Sequence, residues 1–152
     1  MEESYLSKFK ESYLLYFAAL LAAVFVFAGK PVPYSNELSY LLRLFTAYSS
    51  EYFVNDPTLS GPQSEHWVFN HLFGLFTLFL PLEILGWLGR IASWCALIFL
   101  LIRLGRRWDI PLWYISTSIF IWLSFGQSIV NDEWIIGGFE AKVVAYAFLL
   151  LA

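Results

Sequence analysis

The sequence has little to crosslink and little to titrate. Its single cysteine, Cys95, lies inside an apolar run and has no partner for an internal disulfide. A buried, inert thiol is the expected role. The only two histidines, His66 and His71, are five positions apart. They do not share a helix face and do not match a two-histidine zinc motif. Charged residues make up 14% of the chain, against about 25% in an ordinary soluble domain. Positive charge is not in excess: 9 Lys and Arg face 12 Asp and Glu, for a net charge of −3. With no basic stripe to neutralise phosphates, nucleic acid is excluded as a partner. There is no glycine-rich phosphate loop, no Ser-His-Asp arrangement and no cysteine cluster. The carboxylates that remain point to general-base chemistry or cation handling.

What is present is apolar. Hydrophobic residues make up 59% of the sequence and aromatics 20%, and they come in blocks. That pattern indicates an all-α, polytopic transmembrane helix bundle, a multi-pass protein whose main partner is the lipid bilayer. Tyr13 to Gly29 is free of charge and just long enough to span. It lacks a clear cleavage site, so a retained helix is expected rather than a signal peptide. Lys30-Pro31-Val32-Pro33 ends it. Further spanning helices are expected over about 84–104, 111–126 and, cut short, 143–152. The chain stops at Ala152, about ten residues into the last apolar run. An N-terminal module, 1–152, of a longer polypeptide is therefore expected.

The loop from 30 to 83 is polar but patterned. Leu38, Leu41, Leu42, Phe45, Tyr48 and Tyr52 follow helical spacing, with Glu37, Ser39, Arg43 and Ser50 falling elsewhere. This predicts an amphipathic helix over about 36–54, capped by Ser35 or Asn36 and lying in the membrane interface. A second interfacial helix is expected over about 66–80, interrupted by Asn70 and His71 and short for a span. Arg103, Arg106 and Arg107 should face the cytoplasm, as should the N-terminus. Residues 30–83 and 127–142 then share the outer face. The competing count makes 67–80 a span and puts the three arginines outside.

Polar groups on that outer face are the candidates for chemistry. The stretch Asn131 to Lys142 sets four ionisable residues before an apolar helix, a costly position. The helix dipole accounts for Glu140 but not for Lys142. Gly137-Gly138 leaves backbone N–H groups open to an anion. Asp56 is either an ordinary Asp-Pro turn residue or a general base or metal-anchoring carboxylate. Glu37 is a helix N-terminal carboxylate, a partner for Arg43, or a site residue. Arg90 calls for a carboxylate, Glu83 or one on another helix, or a phosphate. His66 is a candidate hydrogen bonder to a phosphate. Asn70 and His71 need partners in an apolar segment.

In sum, these are a first helix, an outer loop with interfacial helices and an acid, the segment Glu65-His66-Trp67-Val68-Phe69-Asn70-His71-Leu72-Phe73-Gly74, a helix with an early arginine at Leu88-Gly89-Arg90, and a later acid where a helix begins. The arrangement resembles the N-terminal part of the C-type glycosyltransferases, polytopic enzymes that take sugar from a polyprenyl-phosphate carrier. The resemblance is one of pattern. The stretch Gly-Gly-Phe-Glu-Ala-Lys looks closer to bacterial membrane proteins of this shape, and the acid pair that usually follows the first helix is replaced by Asn36-Glu37 and Asn55-Asp56. It implies an inner-membrane transferase with Asp56 and Glu140 as catalytic carboxylates. Glu37, His66, Asn70, His71, Arg90 and Lys142 would bind substrate. Some members use a divalent metal, and no ligand set here decides the point. A transporter, a flippase or a membrane scaffold is the alternative.

Overall fold

The computed structural model describes residues 2–57, 59, 65–125 and 135–152. It is all-helical, with no strand among the described residues. Six α-helices follow in order: α1 (Glu2–Ala28), α2 (Glu37–Thr46), α3 (Trp67–Gly74), α4 (Leu82–Arg107), α5 (Leu112–Ser124) and α6 (Ala141–Leu151). Short 3-10 turns, Ser50–Phe53 and Leu75–Leu78, follow α2 and α3.

Helix existence agrees with the sequence pattern, and the limits differ for local reasons. Helix α1 begins at Glu2, well before the apolar run, because its Glu, Lys and Leu residues are good helix formers. The expected single helix over 36–54 breaks after Thr46 and resumes as the 3-10 turn. Thr46, Ser49 and Ser50 are weak formers that compete for backbone hydrogen bonds. Helix α2 also turns a different face inward. Glu37, Leu41, Leu44 and Thr46 are buried, whereas Leu38 is half exposed. The face expected to be polar thus carries a fully buried carboxylate.

The chain divides into two compact units. One holds α1, α5, residues 94–107 of α4 and the end of α6. Its core is built from Leu20, Val24, Trp94, Leu97, Ile98, Ile115, Ile119 and Leu123. Phe27 meets Phe120 edge-on at 5.8 Å, and Phe25 meets Trp94 at 6.2 Å. Gly105 lets α4 approach α5, since a methyl group there would run into the Ile115 side chain.

The other unit comprises residues 30–93 and 137–145. Leu41, Leu44, Phe69, Leu85 and Phe139 form its core. Each such side chain contributes about 1.5–3 kcal/mol on burial. Phe139 stacks among Phe69 and Phe73 at 5.1 and 5.0 Å. It fits only because Gly89 has no side chain, for a Cβ there would lie 2.2 Å from the Cγ of its ring. Gly74 plays the same part between α2 and α3, where a Cβ would sit 2.6 Å from the Leu44 carbonyl oxygen.

One helix among the described residues, α4, is long and apolar enough to cross a membrane. Its Ile84, Leu88, Ile91 and Phe99 form an exposed apolar stripe at helical spacing. Helix α3 with its 3-10 extension has twelve residues. It reaches about 20 Å, short of a hydrocarbon core of roughly 30 Å.

Candidate functional site

Glu37 and Arg90 hold the second unit together. Glu37 opens α2, where the helix dipole favours a carboxylate. Arg90 lies two turns into α4, and both side chains are excluded from solvent. The guanidinium meets the carboxylate as a fork: Nε donates to Oε1 at 2.8 Å and Nη2 donates to Oε2. Its remaining contacts go to main chain, with Nη1 donating to the Lys30 carbonyl and Nη2 to that of Pro31 at 3.3 Å. The Trp87 ring packs 5.1 Å from the guanidinium carbon.

The carboxylate takes two more donors. The Phe139 N–H donates to Oε1 at 2.7 Å, and the Tyr34 N–H donates to Oε2 at 3.1 Å. Four N–H groups therefore occupy its four acceptor positions. Nothing remains for a metal or a substrate hydroxyl. This answers the open question about both residues. Arg90 takes Glu37 as its carboxylate, not Glu83, and its donors are spent on protein groups rather than a phosphate. Arg43 pairs instead with Glu65 at 3.3 Å.

The glycine pair serves this centre. A Cβ on Gly138 would stand 2.9 Å from the Glu37 Cβ and 3.2 Å from Glu140 Oε1. The backbone must pass that close to deliver the Phe139 N–H. The Phe139 N–H that follows the glycine pair meets a carboxylate of the protein itself, that of Glu37.

Glu140 and Lys142 flank the start of α6. They form an ion pair at 3.1 Å, with side-chain exposures of 7% and 19%. The pair is thus mostly desolvated, and the lysine is its more accessible half. Asp56 lies three residues past the 3-10 turn Ser50–Phe53 and is half-buried. Its Oδ1 accepts the Leu59 N–H at 3.2 Å, the ordinary turn role of an Asp. Asp56 and Glu140 belong to the same compact unit.

Asn70 and His71 find their partners in nearby backbone. Asn70 is fully buried, and its Nδ2 donates to the Glu65 carbonyl at 3.1 Å. His71 Nδ1 lies 2.9 Å from the Trp67 carbonyl, and the two rings stack at 4.4 Å. Tyr48 donates its hydroxyl hydrogen to the His71 carbonyl at 2.8 Å. These contacts fix the start of α3 and make the two residues supports.

His66 has a different setting. It precedes α3 in the left-handed region, at φ 55° and ψ 30°. Its ring packs 5.2 Å from that of Tyr40. Together with Asn36, Ser39, Arg43 and Glu65 they line an open cleft of about 190 Å³. No sequence motif marks this cleft. The pattern placed Ser39 and Arg43 off the apolar face of α2 and offered Glu37, rather than Glu65, as a partner for Arg43.

Among the described residues no three His, Cys, Asp or Glu side chains group to hold a metal ion. Glu37 and Glu140 are each engaged by a cation, so a divalent metal finds no donor set there. Asp132 and Glu133, part of the candidate stretch, lie outside the described residues.

No family model, curated protein or solved structure matches the chain.

Proposed function

We propose that the chain is the N-terminal part of a multi-pass membrane glycosyltransferase that takes sugar from a polyprenyl-phosphate carrier. The observation that carries this reading is the company kept by residues 137–145. They form one compact unit with residues 30–93, and that unit holds Asp56, the Glu140–Lys142 pair and a polar cleft. The exposed apolar stripe of α4 and the exposed Leu14, Leu15, Val26, Phe148 and Leu149 suit helices that face lipid.

In this reading Glu37 and Arg90 are the frame and the half-buried groups do the chemistry. Asp56 takes the proton from an acceptor hydroxyl as its oxygen attacks the anomeric carbon. The bond from that carbon to the carrier phosphate breaks, and the phosphate leaves with its electron pair. Lys142 stabilises the charge that develops on the leaving oxygen. Glu140 holds the ammonium in place. Attack opposite the leaving group inverts the anomeric centre.

A non-catalytic membrane module, a transporter or a scaffold, is the competing reading. It is favoured by the fact that the most deeply buried charges satisfy each other and leave nothing for a substrate. Asp56→Asn and Glu140→Gln in the whole protein separate the two. Transfer from a lipid-linked sugar should fall at least about a hundredfold without the base. Consumption at the wild-type rate in both variants removes the catalytic proposal.

A further inference from the structure

The cleft beside α2 has a lining whose chemistry selects a ligand class. Asn36, Ser39, Tyr40 and Arg43 come from the start and first turns of α2, and Glu65 and His66 from the residues before α3. Its volume of about 190 Å³ leaves room for one small ring, and the cleft is open to solvent on one side.

Charge argues against an ionic ligand. Arg43 and Glu65 stand 3.3 Å apart, and Glu65 is 72% exposed. An anion in the cleft meets the carboxylate, and a cation meets the guanidinium. A neutral ligand with alternating donors and acceptors meets neither penalty. An exposed ion pair of this kind is weak and uses only part of the capacity of its groups. Arginine carries five donors and a carboxylate four acceptor positions; the Asn36 amide supplies both kinds, and the Ser39 hydroxyl, which donates to the Asn36 carbonyl at 2.7 Å, supplies acceptor lone pairs. The Tyr40 and His66 rings, tilted at 40° to each other, give an apolar wall for C–H groups.

The wall is also held in advance. His66 occupies a left-handed backbone conformation that non-glycine residues seldom adopt. Asn70 fixes that turn from beneath: its N–H donates to the His66 carbonyl at 2.9 Å and its side chain to the Glu65 carbonyl. Both lining side chains thus spring from a backbone that need not order on binding.

We infer that this cleft binds a neutral polyhydroxylated ring of monosaccharide size. The inference rests on the proposed sugar transfer for its biological sense and says where a sugar is held. Its physical basis is the lining alone.

The test uses the chain in detergent micelles and saturation-transfer NMR with methyl pyranosides of gluco, manno, galacto and arabino configuration. Inorganic phosphate is the charged control. At least one pyranoside should bind, and Arg43→Gln and Glu65→Gln should each weaken it roughly tenfold. Glu65→Gln keeps side-chain length at an exposed position, Arg43→Gln shortens a partly buried one, and α-helical circular dichroism checks folding of both. Binding of none of the four overturns the inference. So does phosphate binding that tightens in Glu65→Gln, which marks an anion site. Pyranoside binding without transfer from a lipid-linked sugar keeps the cleft and removes the enzyme. Transfer that neither substitution alters, with no pyranoside binding, keeps the enzyme and removes the cleft.

Discussion

Glu37 is a carboxylate with every lone pair taken, and Arg90 is its counterpart among the cations. Such a pair adds little net stability over an apolar substitute, yet breaking it strands a buried charge. Glu37→Gln should therefore destabilise the protein by about 3–5 kcal/mol, read from denaturant unfolding followed by tryptophan fluorescence. Replacing both residues with methionine should cost less than the sum of the single changes. Gly89 is the second sensitive position. Gly89→Ala forces Phe139 from its place and should cost about 1–3 kcal/mol. Adding Phe139→Leu should recover part of that loss, because the two sites share one contact.

Among the elements, α4 gives the sharpest expectation. Arg90 is tolerated in this apolar helix because Glu37 and two carbonyls surround it. Leu88 is half exposed on the outer stripe and has no such partners. If α4 crosses a bilayer as proposed, Leu88→Lys, under two turns from the start of this 26-residue helix, raises the cost of insertion by less than the roughly 2.5–3.5 kcal/mol of a lysine at a helix centre. The carbonate-resistant, membrane-integrated fraction should drop, while Leu88→Ile leaves it unchanged. The limits of α4 were legible to within a few residues, since Pro81 and the Arg106-Arg107-Trp108-Asp109 run bracket it. The break in α2 was less legible. Its aromatic spacing continues past Thr46, and only the weak formers around Ser49 hint at the interruption.

For the molecule as a whole, the proposal requires that residues near Asp56 and near Lys142 open to the same water phase. With Cys95→Ser as background, Asn55→Cys and Lys142→Cys should both react with a membrane-impermeant thiol reagent added to one side of intact vesicles. Labelling from opposite sides defeats the shared site. The turn role of Asp56 could be read from Asp-Pro, and the cost of Lys142 from its place before an apolar helix. The pairing of Glu37 with Arg90 could not, because it joins residues 53 apart and local pattern carries no information at that range. The cleft was hidden for the same reason. Arg43 and Glu65 look like surface charges until α2 and α3 pack.

The hydrogen bond from the Phe139 amide to Glu37 spans 102 positions, which sets an order of events at the ribosome. When Arg90 has been synthesised, Glu37 can already be neutralised, yet one acceptor position and the hollow over Gly89 wait for chain not yet made. A nascent polypeptide halted before Gly137 would expose that gap, marking an unfinished product for quality-control proteases until the segment through Phe139 arrives to close it.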